Sequence, residues 1–180
     1  PAIQKAFDYA NTYNVNVIFP EGDFRINDSI IIPRDFYNVV KGAGELKTTI
    51  WYYGATGGSV FHATKLQYCD FRDFGIYGRD VAAYGIWCDS VTYTNFNNMR
   101  IQHNTEVQIK YSYGWENSFT NMLLQSGKNG IEALSECNAN TFIKCVMASL
   151  TGIGLILKNS NRNVKILTCT FEQIDQMAIY

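Results

Sequence analysis

An all-β solenoid, a parallel β-helix closed at its start by an α-helix, is the fold this sequence predicts, and three observations predict it. Five nine-residue segments, 68–76, 93–101, 116–124, 139–147 and 163–171, align with one another. Their fourth residues are Phe71, Phe96, Phe119, Phe142 and Ile166, at steps of 25, 23, 23 and 24. Their seventh residues are Phe74, Met99, Met122, Cys145 and Cys169, and their ninth are Ile76, Ile101, Leu124, Met147 and Phe171. A second set, Ile86, Ile109, Ile131, Leu155 and Ile179, recurs in fixed phase with the first. Within the segments the apolar residues alternate as in strands and lack the three-and-four spacing of helices. Two strands per period make each repeat one coil, with like side chains stacked roughly 4.8 Å apart. Leucine-rich repeats share the period, but their leucine and asparagine consensus is absent.

The elements follow in order. In 2–11, Ile3, Ala6, Phe7 and Ala10 form one apolar helical face, suited to cover the first open core layer. Residues 14–19 read as a strand, 20–23 as a turn, and 24–26 and 29–32 as further strands ending at Pro33. Residues 39–44 lead into a strand over 48–51, and regular coils begin near Val60. Pro20 and Gly22 turn the chain, and Gly42 and Gly44 are expected to take positive φ at a tight corner. The expected organisation is one domain over 1–180, with a capping helix at 1–12, irregular coils at 15–60 and regular coils at 61–180. The chain starts inside a helical pattern and stops at the start of another coil, so both ends read as cut from a longer protein.

Bulk properties narrow the function classes. Net charge is −1 and no long basic run occurs, so the electrostatic footprint of nucleic-acid binding is missing. No apolar run approaches the roughly 18 residues needed to span a membrane. The 12 Tyr, 11 Phe and 3 Trp serve core stacking first and a sugar-binding surface second. Five cysteines cannot make a complete disulfide framework. Cys88, Cys145 and Cys169 fall on inward columns and Cys69 and Cys137 near corners, all as free structural thiols. No metal-ligand spacing is present, and neither metal nor cofactor is expected.

A resemblance is carried by the helix at 2–10, the stretch 17–26 with Phe19, Pro20, Gly22 and Phe24, the segment 30–33, and Gly42 and Gly44 before Thr49 and Ile50. In order and approximate spacing these pieces resemble the start of the pectate-lyase-like superfamily. That resemblance implies a right-handed, single-stranded parallel β-helix. It also implies kinship with polysaccharide lyases, glycoside hydrolases, sugar epimerases and phage tailspike or appendage proteins. The implied setting is extracellular or virion-associated, with a homotrimeric parent protein and a polysaccharide partner. The motifs of polygalacturonases are absent, as is the dense Asp cluster of calcium-dependent pectate lyases.

Outward positions carry the candidate chemistry. Trp87, Lys110 and Glu132 follow the Ile86 column by one residue, and Asp89 lies two further on. An aromatic platform, a cation and two carboxylates are what glycan binding and acid–base cleavage require. Asp89 and Glu132, two coils apart, are expected roughly 9 to 10 Å from each other. That is at or beyond the inverting end of the range used in glycoside cleavage, roughly 6.5 to 9.5 Å. The plainer alternative has Lys110 bridging carboxylates on neighbouring coils, worth about 0.2 to 1 kcal/mol each. A second candidate is the loop with Tyr113, Trp115 and Glu116, read as a sugar-binding edge or a self-packed corner. His103 and Glu106 are read either as an acid–base pair or, more simply, as a hydrophilic corner, and Asn98 with Asn121 as an amide ladder. The expected function is polysaccharide binding and degradation. Its alternatives are a non-catalytic adhesive β-helix or a secreted pectinase- or epimerase-like enzyme.

Overall fold

The computed structural model describes residues 2–180. One helix, Ala2–Tyr13, precedes a stack of seven coils built from parallel strands. Each coil contributes one strand to each of three seven-stranded sheets. The first sheet runs from Val17–Ile18 to Lys165–Leu167, the second from Gly22–Ile26 to Thr170–Ile174, and the third from Ile30–Ile32 to Met177–Ile179. A fourth, three-stranded sheet of Leu66–Gln67, Val91–Thr92 and Gly114–Trp115 fills one corner. The chain is therefore a parallel β-helix with an N-terminal cap.

The expectation of two strands per period is corrected to three. The nine-residue segment is not one strand but two, in different sheets. Its sixth residue (Asp73, Asn98, Asn121, Lys144 or Thr168) has φ of 62°, 51°, 51°, 52° or 53° and bends the chain. Left-handed backbone is costly for residues with a side chain, and Asn and Asp tolerate it best. These corners persist because their amides stay bonded to the next coil. Asn98 N–H donates to Thr120 O at 3.0 Å, Asn121 to Ile143 O at 3.0 Å and Lys144 to Leu167 O at 3.0 Å.

The inward columns are those read from the sequence. Phe71, Phe96, Phe119 and Phe142 pair in register and are buried. Their rings stack at 5.6, 5.0 and 4.9 Å. Free aromatic pairs prefer offset or edge-on contact, but here the strand spacing holds the rings nearly parallel. Phe61, Ile86, Ile109, Ile131 and Leu155 form the matching column of the third sheet.

The helix closes one end of this core. Phe7 and Ala10 are buried, and the Phe7 ring meets Phe36 at 5.5 Å and Phe61 at 6.0 Å. Gln4 acts as a substitute strand. Its Nε2 donates to Ile31 O at 2.7 Å and its Oε1 accepts from Ile31 N–H at 2.8 Å. An edge that would otherwise present unpaired backbone groups is thereby satisfied. Gly44 takes positive φ, 146°, as expected. Gly42 is needed for another reason: a Cβ there would collide with the Asp73 carbonyl oxygen and lie 2.7 Å from Phe74 Cβ.

The amide ladder lies elsewhere than expected. Asn98 donates to Asp73 Oδ1 at 2.8 Å, and Asn121 is exposed. The buried ladder is Asn117 over Asn140, two residues before Phe119 and Phe142. Asn117 Nδ2 donates to Asn140 Oδ1 at 2.9 Å and to Val91 O at 2.9 Å, and Asn117 Oδ1 accepts from Thr94 N–H at 3.0 Å. Asn140 Nδ2 continues to Gly114 O at 3.1 Å. Four of the five thiols are buried and Cys169 is partly so. Cys69 donates to Phe36 O at 2.8 Å and Cys145 to Phe119 O at 3.3 Å. Burial pushes both thiols up to about 12, with backbone hydrogen bonds pulling the other way.

Two outcomes follow from this packing. Asn117→Ala removes the side-chain partners of the Thr94 N–H and the Val91 carbonyl, while Asn140 Oδ1 keeps the Asn117 N–H, so unfolding free energy from urea titration should fall by about 2 to 3 kcal/mol; a loss under about 0.5 kcal/mol would remove the ladder from the account. Cys69, Cys88 and Cys145 should resist an aromatic disulfide reagent at pH 8 in the folded protein and react once it is unfolded, because thiols held protonated and buried are poor nucleophiles.

Candidate functional site

Three outward faces hold groups able to meet a ligand. On the third sheet, strand register stacks His62, Trp87, Lys110 and Glu132 on successive coils. The His62 and Trp87 rings stack at 4.6 Å with 18° between planes, and Tyr84 leans on Trp87 at 5.3 Å. The Lys110 ammonium sits over the Tyr84 ring at 4.9 Å and the Trp87 ring at 5.8 Å. Such a contact contributes about 0.5 to 1 kcal/mol at an exposed site.

The expected Lys110 bridge between carboxylates does not form. Lys110 chooses the aromatic rings, and Lys158 takes Glu132, its Nζ donating to Oε1 at 2.8 Å. Glu132 is only 8% exposed. Asp89 is exposed and has His62 Nε2 at 3.7 Å. Trp87 and Lys110 are thus brought together, while the two carboxylates have different neighbours, the His62 imidazole and the Lys158 ammonium. His62 belongs to the cluster too. Its place 25 residues before Trp87 was the available signal.

The loop with Tyr113, Trp115 and Glu116 forms a corner of the coil stack. Trp115 is 43% exposed, and Tyr113 and Glu116 are also exposed. One coil on, Trp115 pairs with Asn138, and Asn138 with Arg162. Trp115, Glu136, Asn138, Ser160 and Arg162 line a groove of about 300 Å³. Beside it the exposed Tyr68 and Tyr93 rings lie parallel at 4.9 Å. The corner is therefore open rather than self-packed.

The third face was not singled out from sequence. Trp51, Tyr77 and His103 make a run of rings at 4.3 and 4.6 Å along three coils of the second sheet. Trp51 Nε1 is fixed by Asp23 at 3.0 Å. Tyr53 lies next to this run, with Arg79 over its ring at 3.9 Å and Arg25 at 5.4 Å. The run leads into a groove of about 450 Å³ lined by Asp80, His103, Asn104, Thr105, Ser126, Lys128 and their neighbours. Of the two readings of this segment, the His103–Glu106 pair does not form. Asp80 holds its Nδ1, both carboxylate oxygens lying at 3.2 Å, while Glu106 accepts from Lys128 at 2.7 Å.

A polar strip on the first sheet completes the surface, with Asp70, Asn95, Asn97, Ser118 and Thr120 around about 240 Å³. Burial raises the Asp70 carboxyl, opposed by Arg72, whose Nε is 3.2 Å away. Among the described residues, no three metal-ligating side chains converge. No helix among them is long and apolar enough to cross a membrane.

No family model and no curated protein sequence matches the chain. Solved structures do match its fold. The ORF18 protein of Geobacillus virus E2 superposes with a TM-score of 0.83 at 19% identity, over 95% of this chain and 38% of that one. The Dettilon tailspike protein gives 0.77 at 11% identity, over 93% of this chain and 35% of that one. The catalytic domain of a GH87 α-1,3-glucanase, solved with nigerose, gives 0.71 at 15% identity, over 99% and 35%. The class is thus that of the parallel β-helix proteins, as the sequence resemblance implied. The chain spans well under half of each of these three structures.

Proposed function

We propose that this chain is the polysaccharide-binding β-helix of a tailspike- or appendage-type protein that degrades the polysaccharide it binds. The observation that carries the reading is the ring run Trp51–Tyr77–His103, continuous over three coils and opening into a groove of about 450 Å³. Sugar C–H faces pack on such rings, and a run along the stack axis suits a polymer better than a small molecule. The Trp87–Lys110 cluster and the Trp115 corner offer further contacts of the same kind. The tailspike and glucanase likenesses support the fold side of this reading and leave the sugar to be identified. On this reading the parent protein is extracellular or virion-borne and trimeric.

Asp89 and Glu132 are the residues to which cleavage is assigned. Glu132 must leave Lys158 to act, so binding of the glycan has to displace that ion pair. One observation favours a second reading, adhesion without cleavage: Glu132 is nearly buried and already neutralised by Lys158.

The test is incubation of the longest parent chain with a panel of acidic and neutral bacterial polysaccharides. Reducing ends and ultraviolet absorbance of unsaturated products are followed together. New reducing ends are expected, with absorbance for a lyase and without it for a hydrolase. Trp51→Ala should weaken polymer binding roughly tenfold, in line with about 1 to 1.5 kcal/mol for one aromatic contact. Glu132→Gln should abolish cleavage while binding stays. Cleavage at the parental rate in Glu132→Gln would remove that residue from the mechanism, and binding without any product would select the adhesive reading.

A further inference from the structure

The groove into which the ring run opens also holds, at His103, an arrangement that glycan binding alone does not require. The backbone builds it. Asp80 and His103 are both left-handed corner residues, with φ of 54° and 58°. Asp80 N–H donates to His103 O at 2.8 Å, and His103 N–H donates to Ser126 O at 2.8 Å. These bonds lock the two corners together, so the Asp80 carboxylate meets His103 Nδ1. Tyr77 stacks on the imidazole at 4.6 Å and restricts its rotation. Nδ1 is thus occupied, and Nε2 has no protein partner among the described residues. An imidazole held this way carries its proton on Nδ1 and offers Nε2 as a base.

The rest of the groove fits this role. Asn104, fully buried, lines it, and its Oδ1 has no hydrogen-bond partner. Gln108 Nε2, also buried and unpartnered, lies directly under Gly127, where a Cβ would collide with it. Both atoms are sealed from solvent, Asn104 Oδ1 against Gly78 and Gln108 Nε2 beneath Gly127, so they lie behind the groove wall. Thr105, Ser126, Ser149 and Thr151 add hydroxyl groups along the walls.

We infer that this groove is an esterase site that removes O-acyl groups from a glycan, with His103 as general base and Asp80 as its positioning residue. His103 Nε2 takes a proton from a water molecule, and the water oxygen bonds to the acyl carbon. The tetrahedral intermediate then breaks its bond to the sugar oxygen, which takes the proton back from Nε2. A carboxylic acid and a free sugar hydroxyl result. Two other reactions fit less well. Glycoside hydrolysis needs two available carboxyl groups, but Asp80 is bound to His103 and Glu106 to Lys128. Eliminative cleavage of a uronate needs a cation to neutralise the sugar carboxylate, and the lysine of this groove is already paired.

The glycan part of this inference rests on the proposed polysaccharide binding; the chemistry does not. The experiment therefore uses two probes, 4-methylumbelliferyl acetate by fluorescence and acetylated xylan by proton NMR of released acetate. The wild-type chain should hydrolyse both. His103→Ala should lower kcat about a hundredfold or more, and added imidazole should restore part of it. Asp80→Asn should lower kcat with KM little changed, which loss of fold would not produce; a melting curve checks both variants. Hydrolysis of the small ester without binding of any polysaccharide would support the base and overturn the glycan reading. No acetate from either probe, or wild-type rates in His103→Ala, would overturn the inference even with polysaccharide binding intact.

Discussion

Every strand inside the stack pairs in register with the coils on either side, and the rest of the structure depends on that constraint. Parallel strands spaced about 4.8 Å apart leave each coil no freedom to shift by one residue without turning its whole apolar set outward. Phe71, Phe96, Phe119 and Phe142 are held as a stack by this rule rather than by a preference of the rings for one another. The same rule explains corners that look costly in isolation. Tyr68, Tyr93, Glu116, Ala139 and Asn163 all lie in the left-handed region, with φ between 51° and 55°. Each nevertheless keeps coil-to-coil hydrogen bonding. Tyr93 N–H reaches Trp115 O at 2.9 Å and Glu116 N–H reaches Asn138 O at 2.9 Å. At the helix-capped end, the Gln4 side chain is a peptide-like partner to the Ile31 backbone.

A consequence is a sharp division of labour across the strand. Inward positions are tied to their column, whereas outward positions need only be compatible with one neighbour above and one below. Outward charge is accordingly settled by local pairs one coil apart: Lys158 with Glu132, Lys128 with Glu106, His103 with Asp80. Because each coil contacts mainly its neighbours, stability is close to a sum of coil and interface terms. A change on one outward face or at one corner is then felt over about two interfaces. Aromatic rows such as Trp51–Tyr77–His103 and Tyr68–Tyr93 can be placed on such a frame without disturbing the core beneath.

The sequence was legible where the constraint is strongest. The Phe71 and Ile86 columns, the capping face of Ile3, Phe7 and Ala10, and the outward series Trp87, Lys110, Glu132 all follow from spacing alone. The third strand of each coil was hidden because its bend carries no glycine. Asn98 and Asn121 are tolerant of left-handed backbone, but Lys144 and Thr168 give no such sign. Partner choice was hidden for a different reason. Register says which residues are stacked, not which way a long side chain leans, so Lys110 was read toward carboxylates and lies over Tyr84 instead. The Asn117–Asn140 ladder escaped notice because polar residues two positions before a phenylalanine read as corner surface, whereas both are buried. His103 was paired with Glu106, three residues away, although Asp80 is 23 residues earlier, one full coil. In a solenoid the coil step is the shorter distance.

That last point bears on where chemistry can sit in this fold. Within a strand, neighbouring outward side chains from adjacent coils are parallel and similarly placed, which suits binding rows and weak ion pairs. At a corner, left-handed residues point side chains from two coils toward one another. Asp80 and His103 meet in that way, with Tyr77 below and Ser126 above, and their backbones are bonded to each other. A carboxylate oriented on an imidazole demands such fixed directions, which a flat face does not provide. The outward carboxylates of the third sheet, Asp89 and Glu132, lack that mutual orientation, and each has a different neighbour, His62 and Lys158. The geometry thus gives one stack two kinds of surface: rows of rings on the sheets, and a corner that holds side chains of two coils in fixed mutual directions.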